Sequence, residues 1–176
     1  MKPIGAILAG GRAQRFGSDK ALARLGGRTL IDHVAAQLAR YCSSVILCGR
    51  IDGDGVLDRP ETGRGPLAGL NAALHAGTAR GAATVLVAPC DTPVLPDALL
   101  ALLAAEEQAA YVAQLPVLGV WPTHWAATCD LHLAEDAKAS MRGWAARIGA
   151  KAIDWPEPIP NINSPEDLAG VSGFFP

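Results

Sequence analysis

An apolar run from Pro3 to Leu8 breaks at Gly10 and Gly11 into a polar loop carrying Arg12, Arg15 and Lys20. The run reads as a short buried strand. Paired glycines at its end let the backbone turn sharply, with no Cβ between the main chain and a ligand. Successive exposed N–H groups in such a turn form a nest for anions. The three cations add positive charge to the same loop, and Gly17 permits a second bend. Strand, turn and spaced cations together suit a polyphosphate. On composition alone, a solvated surface turn is an equal reading. The familiar phosphate loops do not decide between them, because the stretch has no G-x-G-x-x-G and the chain has no G-x-x-x-x-G-K-[ST].

Beyond Lys20 the chain alternates between strand and helix signals. Thr29 caps a helix with apolar residues at Leu30, Val34, Leu38 and Tyr41, spaced for one buried face. Ser44 to Cys48 is a second compact strand, closed by Gly49-Arg50, and Val56-Leu57 is a brief third, with Asp58 at its carboxyl end. Gly65-Pro66 opens a helix in which Ala68, Gly69, Ala72 and Ala73 allow close approach to a sheet. Thr84 to Ala88 lacks polar alternation, as expected of a central parallel strand covered on both faces. It ends in Pro89-Cys90-Asp91-Thr92-Pro93, and Pro96-Asp97 leads a helix to Leu103.

Further on, a strand or two fall within Val112–Trp121, a helix broken near Asp136 within Trp125–Arg147, and a last strand at Ala150–Asp154. Ser164-Pro165-Glu166-Asp167 is a helix start. The expected fold is α/β, a three-layer α/β/α sandwich with a mainly parallel, Rossmann-like sheet. In such sheets ligands lie beyond the carboxyl ends of the strands. The glycine turn, Asp58 and Asp91 all come after strands and so fall on one edge.

With 176 residues, the chain is expected to form one domain over residues 1–176. A net charge of −2 argues against a general nucleic-acid or membrane-surface binder, and no apolar segment has the length of a membrane span. The opening run is too short for a secretion signal, so a cytoplasmic location is expected. Cys42, Cys48, Cys90 and Cys129 show no metal-knuckle spacing and read as buried free thiols. His33, His75, His124 and His132 form no H-x-x-x-H pair, and no G-x-S-x-G elbow occurs. Trp121 and Trp125 read as core. Asp91, held in a proline-stiffened turn beside a phosphate loop, suits a magnesium ion on substrate phosphates. A turn aspartate bonded to its own backbone is the alternative.

The pattern L-A-G-G-x-x-x-R-F-G-x-D-K at Leu8–Lys20, then GPLAGL, PCDTP and NINSPEDL in that order, resembles the molybdenum cofactor guanylyltransferases. These are nucleotidyltransferases with a GT-A-like fold. The resemblance implies GTP bound by the backbone of Leu8, Ala9, Gly10 and Gly11, with Lys20 and Arg15 on its phosphates. It further implies Asp58 near the guanine or ribose, Gly65 and Pro66 shaping the base pocket, and Asp91 on Mg2+. Asn161 and Asn163 would lie toward the second substrate or the metal. The implied reaction joins GTP and molybdopterin or molybdenum cofactor into the guanine dinucleotide cofactor, with pyrophosphate released.

For that reaction the resemblance implies that Lys20 stabilises the transition state, Arg15 holds the pyrophosphate, and magnesium on Asp91 helps to neutralise the developing charge. Transient contact with molybdoenzymes or other cofactor-biosynthesis proteins is implied as well. Two departures stand out: Cys48 stands where the family often has Asn, and Gln114-Leu115-Pro116 matches the pterin-side segment only loosely. A related enzyme using CTP or a sugar-phosphate acceptor is one alternative. A non-catalytic nucleotide- or cofactor-binding module is another.

Overall fold

The structure is a computed structural model that describes residues 1–10, 19–51, 53–136 and 138–171. Strand β1 (Ile4–Leu8) opens it, as the apolar run predicts. Between Lys20 and Thr29, where the sequence shows no helix or strand signal, the chain forms a single 3-10 turn (Lys20–Leu22) and a ribbon of β2 (Arg24–Leu25) and β3 (Arg28–Thr29). Helix α1 (Leu30–Leu38) starts at Thr29 through a reciprocal capping box with Asp32. It stops short of Tyr41, because the chain tightens through Tyr41 and Cys42, both bonded to the Leu38 carbonyl. Ser43 N–H then reaches the Pro3 carbonyl and sets the next strand beside β1.

That strand is β4 (Val45–Cys48), succeeded by β5 (Gly55–Val56) and by α2 (Pro66–Ala79), with Pro66 at its first position. Then come β6 (Thr84–Pro89), α3 (Asp97–Ala105), and a hairpin of β7 (Ala110–Val112) and β8 (Leu115–Pro122). Two helices, α4 (Ala126–Glu135) and α5 (Met141–Ile148), flank the expected break, and Ser140 caps α5. β9 (Lys151–Ile153) and α6 (Pro165–Val171) complete the described chain. Ser164 accepts the Asp167 N–H at 3.3 Å, as expected of a cap.

The seven-stranded sheet has the order β5-β4-β1-β6-β8-β7-β9. Pairing is parallel from β5 through β6 and again between β7 and β9; β8 runs antiparallel to both neighbours. So β6, expected to lie among parallel neighbours, borders the switch in direction. A buried apolar run reads the same in either setting. Its two faces are covered as expected: Val85 and Val87 pack under α2, α4 and α5, while Leu86 and Ala88 pack under α1 and α3. β1 alternates in the same way, Ile4 and Ala6 to one core and Ile7 to the other. This period of two, buried on both sides, makes the middle of a three-layer sandwich.

The parallel strands present their carboxyl ends to one edge. β8 pairs with β6 so that Val87 faces Gly119 and Thr84 faces Pro122. The β7–β8 turn therefore projects toward that same edge. Trp121, fully buried, and His124 with Trp125 lie toward the opposite edge, in keeping with a core role for the tryptophans. All four cysteines are free. Among the described residues no helix is long and apolar enough to cross a membrane.

Candidate active site

At the end of β1 the chain is held on both sides. Ala9 N–H donates to the Cys48 carbonyl at 2.9 Å, and the Leu8 carbonyl accepts Cys90 N–H at 3.2 Å. Leu8 and Ala9 thus prolong the sheet, and Gly10 is where the backbone leaves it. Gly10 packs directly on Gly49. A Cβ on Gly49, whose φ is +84°, would stand 2.3 Å from the Gly10 Cα. Both positions need glycine, one for space and one for conformation as well. Gly11, Arg12 and Arg15 lie outside the described residues.

Asp58 sits over this contact. Its Oδ2 would be 2.8 Å from a Cβ on Gly10, and its Oδ1 3.2 Å and 3.4 Å from Cβ atoms on Gly49 and Gly69. Three glycines thus make room for one carboxylate. Burial pushes its pKa above the usual aspartate range. Gly69 belongs to α2, whose first turn carries Pro66 after the N-cap Gly65 (φ 75°). Arg59 N–H bonds the Ala68 carbonyl at 3.1 Å, so Asp58, Gly65 and Pro66 share one corner of the edge.

Across the cradle, Lys20 Nζ donates to Asp91 Oδ2 at 2.9 Å and to Asn163 Oδ1 at 3.1 Å. Main chain ties the same groups together, for Ile162 N–H donates to the Asp91 carbonyl at 2.8 Å. Ile162 is fully buried with Leu25 and Leu30, which pins the segment beside Asp91. Asn161, one residue earlier, is exposed and joins none of these bonds. Asn163 N–H and Ser164 N–H both donate to Asp167, fixing the turn that presents Asn163.

Asp91 Oδ1 is buried and has no hydrogen-bond partner among the described residues. A lone carboxylate oxygen without a donor costs about 1–3 kcal/mol unless something electropositive meets it. Among the described residues no group of three or more His, Cys, Asp or Glu is placed to hold a metal. One carboxylate oxygen with substrate phosphates completing the shell is the way magnesium is commonly held, so the residues present fit that ion.

Two residues of the site escaped the sequence reading. Asp19 caps the Lys20 turn, and its carboxylate also takes a hydrogen bond from Arg50, the residue after Gly49. Strand-end position, the signal that found Asp58 and Asp91, applies equally to Arg50. Cys48 is buried in the core below the site, and burial pushes its thiol up to about 12, as it does for Cys42, Cys90 and Cys129. Gln114, in the β7–β8 turn, donates to the Trp155 and Glu157 carbonyls at 3.0 Å and 3.1 Å, fastening the hairpin to the returning chain.

Residues 5–151 match the MobA-like NTP transferase domain. A molybdenum cofactor guanylyltransferase of Cereibacter sphaeroides is 38% identical over 99% of this chain and 98% of its own length. Among solved structures, molybdopterin-guanine dinucleotide biosynthesis protein A from Archaeoglobus fulgidus superposes with a TM-score of 0.76, at 20% identity over 97% of both chains. The 2-C-methyl-D-erythritol 4-phosphate cytidylyltransferase of Thermus thermophilus shares the fold at a TM-score of 0.69, with 18% identity over 99% and 98% of the two chains.

Proposed function

This chain belongs to the family of MobA-like NTP transferases, and we propose that it transfers GMP from GTP to the terminal phosphate of molybdenum cofactor. The observation that carries the reading is Lys20, bonded to Asp91 and Asn163 on the same sheet edge as the Gly10–Gly49–Asp58 corner. A triphosphate lying along that edge would meet a cation, a carboxylate and a bare backbone.

The chemistry asks little more. A phosphate monoester has a second pKa of about 6, so the acceptor is largely dianionic near neutrality and attacks without a general base. An acceptor oxygen bonds to the α-phosphorus, the bond from that phosphorus to the bridging oxygen breaks, and pyrophosphate leaves with the electron pair. What remains is to hold two anions in line and to neutralise the charge that develops. Lys20 leaves its bridge between Asp91 and Asn163 to meet that charge. Gly10, with the end of β1 at Leu8 and Ala9, seats the nucleotide. Asp58 accepts from the guanine or ribose, and Gly65 and Pro66 border the base. Arg15, together with Gly11, completes the phosphate side. Asn163 faces the acceptor, and Asn161 lies beside it.

Nucleotidyl transfer of this family takes a divalent metal ion, and magnesium on Asp91 is part of the proposal. When bound, such an ion neutralises phosphate charge and fixes the triphosphate.

The fold is shared with a cytidylyltransferase, so the base is decided by assay. Purified protein with molybdenum cofactor and GTP is expected to release pyrophosphate and yield a product heavier by one GMP unit on mass analysis. Equal or faster turnover with CTP would overturn the guanine assignment. Nucleotide binding without pyrophosphate would overturn transfer itself.

A further inference from the structure

We propose that the Asp19–Arg50 pair is a strut that sets the position of Lys20, making both of them positioning residues of the transfer site. The bonding pattern carries it. Asp19 Oδ1 accepts the Ala21 N–H at 3.2 Å and so shapes the 3-10 turn that begins at Lys20. The other oxygen of the same carboxylate is bonded to the Arg50 guanidinium. Arg50 in turn comes directly after Gly49, which is locked against Gly10. One carboxylate therefore joins the turn that carries Lys20 to the strand end that forms the cradle.

The burial is uneven. The Arg50 side chain is 14% exposed against 42% for Asp19. Arg50 Nε is buried with no partner among the described residues. The guanidinium is thus largely sequestered behind the cradle, and Asp19 is the acidic group seen to bond it. Lys20 stands on four flexible methylenes, so its reach to Asp91 depends on where the backbone of its turn is held. Arg50 from β4 holds that turn on one side, and Asp91 after β6 meets its side chain on the other. A displacement of about 1 Å at a charged group can cost on the order of a hundredfold in rate.

The test is a double-mutant cycle of Asp19→Asn, Arg50→Gln and the pair. Asn keeps an acceptor for the Ala21 N–H but turns amide donors toward the guanidinium, so it cuts the strut and spares the cap. Each single variant is expected to lose about ten- to hundredfold in kcat, with KM for GTP nearly unchanged. The double variant is expected to be no worse than either single. Faster amide exchange at Ala21–Ala23 in both singles gives a readout that needs no turnover.

Loss of GTP affinity in Arg50→Gln with Asp19→Asn silent would mean that Arg50 meets the ligand itself, and would overturn the strut. Losses that multiply in the double variant would overturn it too. Where Arg50→Gln fails to fold, Arg50→Lys keeps the charge without the fork and is expected to lose kcat in the same sense; full kcat there would overturn the strut. The kinetic arm rests on the guanylyl-transfer reading. A wild-type protein that releases no pyrophosphate defeats that reading, and the exchange arm still judges the strut.

Discussion

The sheet has two halves that supply the site in different ways. In β5, β4, β1 and β6 every strand runs in the same direction, so each carboxyl end delivers a group to one edge: Asp58, Arg50, Gly10 and Asp91. In the other half β8 runs against both its neighbours, while β7 and β9 run parallel to each other. That half sends a hairpin turn and a returning segment, from which Asn163 reaches Lys20 across 143 positions of chain. The parallel half is a row of strand ends, fixed by the ladder itself. The antiparallel half is a wall whose site residue is placed by anchors: Ile162 in its small core, Ile162 N–H on Asp91, and Asp167 beneath Asn163. Changes in the first should strike the reaction, and changes in the second should weaken acceptor placement.

Asp91→Asn is the severest way to sharpen that contrast. It removes the charge opposite Lys20 while keeping the shape, and kcat is expected to fall by about 10²–10³, measured by pyrophosphate release. Gly49→Ala attacks the strand-end geometry itself. A left-handed conformation and the clash with Gly10 together are expected to destabilise the fold by about 2–5 kcal/mol, read from urea unfolding.

Cys48→Asn probes the same half from beneath. The amide would enter a closed apolar core, at a stability cost of about 1–3 kcal/mol and with no gain in GTP affinity. Tighter GTP binding would break the assignment of Cys48 to the core. On the other half, Asn163→Ala removes one hydrogen bond to Lys20, worth up to about tenfold in rate. That loss should fall mainly on KM for the acceptor. A loss in GTP affinity of the same size would erase the distinction between the halves.

Much of the parallel half was legible because its signals are local. Apolar runs that stop at glycine or aspartate name their own edge, as at Leu8-Ala9-Gly10, Leu57-Asp58 and Cys90-Asp91. Caps are local too, so Thr29, Pro66 and Ser164 stand where the sequence places them. The β2–β3 ribbon went unread because strands of two residues carry no periodicity. The reversal at β8 was hidden because a run buried on both faces does not reveal the direction of its neighbour. Asp19 with Arg50, and Lys20 with Asn163, are long-range pairs of single residues, which no pattern along the chain announces.

The smallest expected effect concerns pH. Burial raises the Asp58 pKa, so between the ordinary aspartate range and that raised value the folded protein binds more protons than the unfolded one. Stability without nucleotide therefore falls as pH rises through that window. Asp58→Asn removes this dependence and is expected to melt slightly higher than wild type at pH 7, with the difference shrinking as pH is lowered. The same variant should bind GTP more weakly. A higher melting point joined to unchanged GTP affinity would take Asp58 out of the nucleotide corner.

The most direct test of the central arrangement is calorimetric titration of GTP with and without magnesium, on wild type and on Asp91→Asn. Magnesium is expected to tighten GTP binding to the wild type by at least about tenfold and to leave the variant unchanged. An equal gain in both proteins would contradict the placement of Asp91 as the carboxylate that meets the metal-bound triphosphate.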